Sequence, residues 1–149
     1  MSLDRRDFIL RHTRLQRPPH APELQLYLAD EIEPVWRMSE EELGEIGVPP
    51  PFWAFAWAGG QAVARYLLDH PEEAAGRRVL DVASGSGLVA IAAMKAGAAG
   101  ATANDLDAFC GPAVALNAEA NGVAVEFIGE DLLDRPPPEG FELITAGDV

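Results

Sequence analysis

The chain has 149 residues, 48% of them hydrophobic and 23% charged, with 24 acidic against 11 basic side chains and a formal net charge of −13. That length favours one domain able to bury roughly 70% of its unfolded surface. The acidic balance speaks against nucleic acid as the main partner, because phosphate binding needs a basic face, and suits a basic partner such as a lysine-bearing protein surface. No apolar run approaches the ~20 residues that a membrane helix needs, so no membrane partner is expected. The single cysteine, Cys110, excludes an internal disulfide framework and points to a reducing compartment.

Five arginines (Arg5, Arg6, Arg11, Arg14, Arg17) fall in the first 17 residues. Asp4 and Asp7 weaken a transit-peptide reading. The spacing predicts instead an exposed amphipathic helix over 3–16, stopped by Pro18-Pro19. Leu24–Leu28 is a short apolar segment. Ser39 and Glu42 have capping-box spacing, and Pro49-Pro50-Pro51 marks a boundary. Residues 1–50 are therefore expected to form an accessory region that packs on, or lids, a main domain over 51–149.

Phe52-Trp-Ala-Phe-Ala-Trp-Ala-Gly-Gly60 opens that domain with two of the three tryptophans. A helix from Gln61 to His70 is expected to put Ala62, Val63, Tyr66 and Leu67 on one face. Strands and helices then alternate. The expected strands are Val79–Ala83, Ala99–Asn104, Val123–Ile128 and Phe141–Ala146. The expected helices are Leu88–Ala96 and Phe109–Asn121, the second with Pro112 in its first turn. This order predicts an α/β fold with an open parallel sheet and right-handed crossovers. The proline-rich link 135–138 leaves little room for a helix between the last two strands. An open sheet normally continues with further βα units, so the sheet is expected to be cut after its fourth strand.

The chemistry gathers at the carboxyl ends of those strands. Val79-Leu-Asp-Val-Ala-Ser-Gly-Ser-Gly87 is a buried-type strand followed by a glycine turn that opens a helix, which places a nucleotide-type ligand at the helix N-terminus. Gly85-Ser-Gly87-Leu-Val-Ala90 matches the dinucleotide fingerprint G-x-G-x-x-G/A. Asp81 inside the strand favours a cationic ligand over a pyrophosphate. Asp105, 18 residues after Gly87, can accept both ribose hydroxyls in either case. Asp131 can accept from an adenine amine, with Leu132 packing on the ring. Asp148 stands at the same edge, and Asp107 is a candidate cap for the second helix. Trp53 and Trp57 each offer either core packing or a cover for a cation. His12, His20 and His70 lack metal-ligand spacing, so no metal is expected, and Cys110 reads as packing.

Together, Val79–Gly87, Asn104-Asp-Leu-Asp107, Gly129-Glu-Asp-Leu-Leu133 and Phe141–Asp148 resemble the motifs of class I, seven-strand, Rossmann-like methyltransferases dependent on S-adenosyl-L-methionine. Pro50–Gln61 with Ala64–Asp69 resembles the electron transfer flavoprotein β-subunit lysine methyltransferases, whose bacterial members often carry a nicotinamide N-methyltransferase label. The resemblance implies S-adenosylmethionine as cofactor, held by Trp57, Asp81, Ser84, Gly85, Gly87, Asn104, Asp105, Asp131 and Leu132. It implies Asp148, at the acidic position of the family's post-strand motif, as the catalytic residue, and the flavoprotein β subunit as a protein substrate with an exposed lysine. It also implies a cytoplasmic location in a bacterium or the mitochondrial matrix in a eukaryote. Two departures stand out. Ala83 occupies the first glycine position of the G-x-G-x-G form, and the sequence reaches Val149 before the aromatic residue that follows the family's acidic one. An NAD-dependent oxidoreductase, a small-molecule N-methyltransferase and a non-catalytic cofactor-binding fragment are the competing readings.

Overall fold

The computed structural model describes residues 4–149. Its main sheet has four parallel strands in the order β5-β4-β3-β6, where β3 is Arg78–Val82, β4 Gly100–Asn104, β5 Glu126–Ile128 and β6 Leu143–Thr145. Val79 pairs with Ala101 on one side and with Leu143 on the other. The strand order therefore reverses at β3, and the carboxyl end of β3 is the switch point where open α/β sheets bind ligands. Helix α4 (Leu88–Lys95) connects β3 to β4, and α5 (Cys110–Ala120) connects β4 to β5. α4 packs between α5 and α3 (Ala58–Asp69).

α4 is short, alanine-rich and buried on nearly every side, from Leu88 to Ala93. A helix apolar all round belongs inside a core, and here it is wrapped by the sheet and by its two helical neighbours. The inward face of α3 is Gly60, Gln61, Ala64 and Leu67; of the expected face Leu67 is buried and Val63 packs partly buried against the core, while Ala62 and Tyr66 are exposed. The helix also starts three residues before the expected Gln61. Small residues at 60 and 64, one turn apart, let α3 approach its neighbours closely, and that contact overrides the larger apolar side chains.

The N-terminal region differs most from expectation. The helix predicted over 3–16 is α1, Arg5–His12, N-capped by Asp4; residue 3 lies outside the described residues. Nor is it an exposed leader, because Phe8 and Ile9 are fully buried. Arg14–Gln16 forms β1, which pairs antiparallel with β2, Leu26–Leu28. A three-residue strand shows no period of its own and is called into being by its partner. α2 spans Ile32–Leu43, so Ser39 lies inside a helix and does not cap one; its hydroxyl donates to the Trp36 carbonyl. The start signal is Pro34 in the first turn, where its missing N–H costs nothing. The strands β5 and β6 are also shorter than the expected 123–128 and 141–146.

Residues from both regions share one aromatic cluster. Trp53, 1% exposed, stacks on Phe109 with ring centres 5.2 Å apart and meets the edge of Phe8 at 6.5 Å. Ala29, Val35 and Cys110 complete it, and the Ala29 N–H donates to the Ala54 carbonyl. Cys110 is buried packing whose thiol is pushed up by burial. Among the described residues no helix is long and apolar enough to cross a membrane. Trp53→Ala should destabilise the fold by about 3–5 kcal/mol, read as a lower denaturation midpoint in urea. A loss below about 1 kcal/mol would show that the cluster does not tie the N-terminal elements to the sheet.

Candidate functional site

The turn between β3 and α4 is the centre of a cleft of about 520 Å³ at the carboxyl edge of the sheet. The turn holds three positive φ angles: Ala83 at 55°, Gly85 at 57° and Gly87 at 86°. Ala83 is the only non-glycine with this conformation among the described residues. That explains why a glycine is common at this position: the left-handed region costs an L-residue about 1–2 kcal/mol. Gly87 has a second reason, since a Cβ there would stand 3.1 Å from a Val114 methyl of α5.

Asp81 is 2% exposed, and its Oδ1 accepts the Thr145 hydroxyl of β6 at 2.8 Å. Burial pushes its carboxyl up to about 6, against hydrogen bonding and with a smaller contribution from Asp105 and Asp148. The Ser84 hydroxyl stands close enough to soften that shift, yet its buried oxygen meets hydrogen-bond geometry with no partner. An orphaned hydroxyl beside a costly buried anion marks a place shaped for a ligand.

Asp105 follows β4. Its Oδ2 accepts the Gly85 N–H at 2.9 Å and its Oδ1 accepts the Asp107 N–H at 3.1 Å. Each oxygen keeps a further lone pair for a ligand hydroxyl. Asp107 in turn accepts the Phe109 N–H at 2.9 Å, ahead of α5. Asn104 is turned inward, with its Nδ2 donating to the Ile128 and Glu130 carbonyls, both at 2.8 Å. It fixes the loop after β5 and does not line the cleft. Asp131 and Leu132 lie on that loop, outside the cleft walls; Asp131 is exposed and accepts the Leu133 N–H at 2.9 Å, and Leu132 is buried.

The opposite wall comes from the N-terminus of α3 and the segment before it. The carboxylate of Asp148 spans the first turn of α3, accepting the Gly59 N–H at 2.9 Å and the Gly60 N–H at 2.6 Å. A Cβ at Gly59 would collide with the Gly147 carbonyl and the Asp148 carboxylate, so glycine is required for this contact. A helix N-terminus is a favourable seat for an anion. Phe52, Phe55 and Trp57 line the mouth, and the Trp57 indole N–H donates to the Phe52 carbonyl at 2.9 Å. Trp57, 41% exposed, is thus the cleft aromatic, and Trp53 is core.

The structure therefore gathers Trp57, Asp81, Ser84, Gly85, Asp105 and Asp148 around one space. Gly87 and Asn104 support it from behind. Phe52, Phe55, Gly60, Ser86 and Thr145 also belong to it or hold it, and sequence reasoning did not select them. Only the aromatic run before Gly59 carried a signal for the first two. Among the described residues lining the cleft there is no Lys, Arg or His. A second concavity of about 490 Å³ along α2 is walled by glutamates, Trp36 and Ile46 and has no comparable turn.

A parallel sheet with this order, a glycine turn at its switch point and acidic residues ending successive strands define the Rossmann-like methyltransferase class, whose cofactor is S-adenosylmethionine. The family described as ribosomal protein L11 methyltransferase (PrmA) matches residues 63–146, and the chain belongs to that family. It is 41% identical over 145 residues to the electron transfer flavoprotein beta subunit lysine methyltransferase of Xenopus laevis, covering 97% of this chain and 57% of that protein. The Homo sapiens protein of the same name is 52% identical over 100 residues, 66% of this chain and 38% of that one. The chain spans about half the length of the curated relatives it matches. Among solved structures it resembles the ribosomal protein L11 methylase of Lactobacillus delbrueckii subsp. bulgaricus, with TM-score 0.52 and 30% identity over 62% of this chain and 47% of that one.

The buried Asp81 has a measurable cost. With its folded value near 6 and an ordinary value of 3.8, the native state holds a proton that the unfolded chain has lost between those pH values. Stability falls as pH rises through that window, and the penalty is complete above it. Asp81→Asn should raise the Tm at pH 7–8 and flatten its pH dependence between about 4 and 6, by up to about 3 kcal/mol. An unchanged Tm at pH 7.5 contradicts this. Ala83→Gly should stabilise by about 1 kcal/mol through relief of the left-handed strain, measured by thermal denaturation. A destabilised variant would show that the strain is absent.

Proposed function

We propose that the protein carrying this chain is an S-adenosylmethionine-dependent protein-lysine N-methyltransferase that acts on the electron transfer flavoprotein β subunit. The observation that carries the reading is the cleft itself: three carboxylates, Asp81, Asp105 and Asp148, surround a glycine turn with no basic side chain among the described lining residues. Such a site repels a pyrophosphate and suits a cation. That removes the main support for a dinucleotide, which shares only the turn and Asp105. The names of relatives 41% and 52% identical to the chain supply the acceptor.

S-adenosylmethionine, when bound, supplies a methyl group on a sulfonium whose neutral thioether leaving group needs no acid. Asp81 is the proposed partner of its ammonium, with the orphaned Ser84 hydroxyl and the Gly85 backbone at the same end. Asp105 would hold the ribose. Asp131 and Leu132, on the loop after β5, are proposed for the adenine, and Trp57 would flank the pocket. The protein must also present a neutral amine, although a lysine arrives charged with an ordinary pKa near ~10.4. Asp148 is proposed to bind and orient the incoming ammonium and to help its proton leave to water. Its grip on α3 fixes the carboxylate direction before the substrate arrives, which is orientation gained in advance. The lone buried cysteine supports a reducing compartment, bacterial cytoplasm or mitochondrial matrix.

The test is methyl transfer by the intact protein to the flavoprotein β subunit, run beside nicotinamide, with mass spectrometry of the lysines. The β subunit should gain lysine methyl groups and nicotinamide none; a methylated nicotinamide with an unmodified β subunit overturns the protein-acceptor reading. Asp148→Ala should cut transfer by about 100-fold or more while S-adenosylhomocysteine affinity stays within about threefold. Loss of both together would remove the catalytic role of Asp148.

A further inference from the structure

Asn117 lies in the middle of α5, fully buried and far in sequence from both of its partners. Its Oδ1 accepts the Tyr27 N–H of β2 at 2.7 Å, and its Nδ2 donates to the Ser86 carbonyl of the glycine turn at 2.8 Å. The amide orientation is unambiguous, since a backbone N–H only donates and a carbonyl only accepts. One helical turn on, Asn121 accepts the Gln25 N–H at 3.0 Å and donates to the Gln25 carbonyl at 2.6 Å. Residues 25 and 27 repeat at roughly 6.6 Å along an extended segment, and residues 117 and 121 at roughly 6 Å along a helix face. The two asparagines therefore serve the β2 segment as a neighbouring strand would.

Only Asn117 reaches further. Ser86 lines the cleft, and its carbonyl belongs to the peptide that leads into Gly87 at φ 86°. Its hydroxyl accepts the Leu88 N–H at 3.4 Å, at the mouth of α4. Without the Asn117 amide, the buried Ser86 carbonyl and the part-buried Tyr27 N–H would both be unpaired, and each would draw its segment toward a new partner. We infer that Asn117 is a positioning residue that couples the β1–β2 hairpin to the glycine turn, so that docking of the hairpin and filling of the cleft strengthen one another. The inference rests on the cofactor reading of that cleft. By linkage the effect runs both ways: whatever the hairpin adds to cofactor affinity, the cofactor adds to hairpin docking.

A plain structural strut predicts something different, namely a lower Tm with unchanged affinity once the protein is folded. The experiment is calorimetric titration of the intact protein with S-adenosylhomocysteine at 25 °C, for wild type, Asn117→Ala and Asn121→Ala. Asn117→Ala should bind about tenfold more weakly. Asn121→Ala, which frees the Gln25 backbone N–H and carbonyl but leaves Ser86 held, should stay within about twofold of wild type even with a lowered Tm. In the wild type, saturating S-adenosylhomocysteine should slow hydrogen exchange at the Tyr27 amide more than at Val35 of α2. This arm decides the matter alone if Asn117→Ala does not fold. Wild-type affinity in a folded Asn117→Ala, or a Tyr27 amide no more protected than Val35, overturns the coupling. If the wild type itself binds no S-adenosylhomocysteine, the cofactor reading falls and takes the inference with it.

Discussion

The backbone of residues 83–87 cannot satisfy its own polar groups, and much of the architecture exists to satisfy them from outside. A tight turn with three left-handed residues has few internal hydrogen bonds; here the Gly87 N–H reaches the Ser84 carbonyl at 3.0 Å. The Ser84 N–H goes to the Asn104 carbonyl at 2.9 Å, the Gly85 N–H to the Asp105 carboxylate, and the Ser86 carbonyl takes the Asn117 amide. Buried backbone groups must be paired, so the end of β4, the loop beyond it and the middle of α5 are each recruited to a different atom of one turn. The turn is thereby held by three separate elements before any ligand arrives.

The electrostatics of the cleft follow from that framework. Asp81 is carried in by the central strand and is held under the turn by Thr145 of β6. Asp148 follows β6, and the first turn of α3 holds its carboxylate. Neither anion meets a basic side chain among the described cleft residues. The protein thus keeps a buried carboxylate whose ionisation is penalised and an orphaned Ser84 hydroxyl beside it. Sites that store unfavourable charge in this way return it on binding the complementary ligand. A cationic group at Asp81 would relieve the penalty.

What the sequence made legible was local. The strands Arg78–Val82 and Gly100–Asn104, the glycine turn, the alanine helix and Asp105 could be read because each depends on a short run of residues. Trp57 and Asp148 stood out by position, one an aromatic residue ahead of the sheet and the other an acid at the strand edge, but a role for each came only with the resemblance; the structure adds that the Gly59-Gly60 pair between them is what seats the carboxylate. The rest depends on partners distant along the chain. Arg14–Gln16 is a strand because Leu26–Leu28 lies beside it, and Ser39 looks like a cap until Pro34 is seen to start the helix earlier. α3 turns Gly60 and Ala64 inward because its neighbours demand small residues, against the pull of Tyr66. Asn117 and Asn121 have the spacing of a helix face but polar identity, and nothing in the sequence distinguishes a buried polar pair from an exposed one.

The cleft over residues 83–87 suits a cation bearing a ribose and not a pyrophosphate. The deciding measurement is a pair of calorimetric titrations of the intact protein, with S-adenosylmethionine and with NADH, each at pH 7.5 and at pH 5. S-adenosylmethionine should bind saturably and more weakly at the lower pH, as Asp81 takes up a proton, and NADH should not bind. Binding of NADH in preference to S-adenosylmethionine would contradict it.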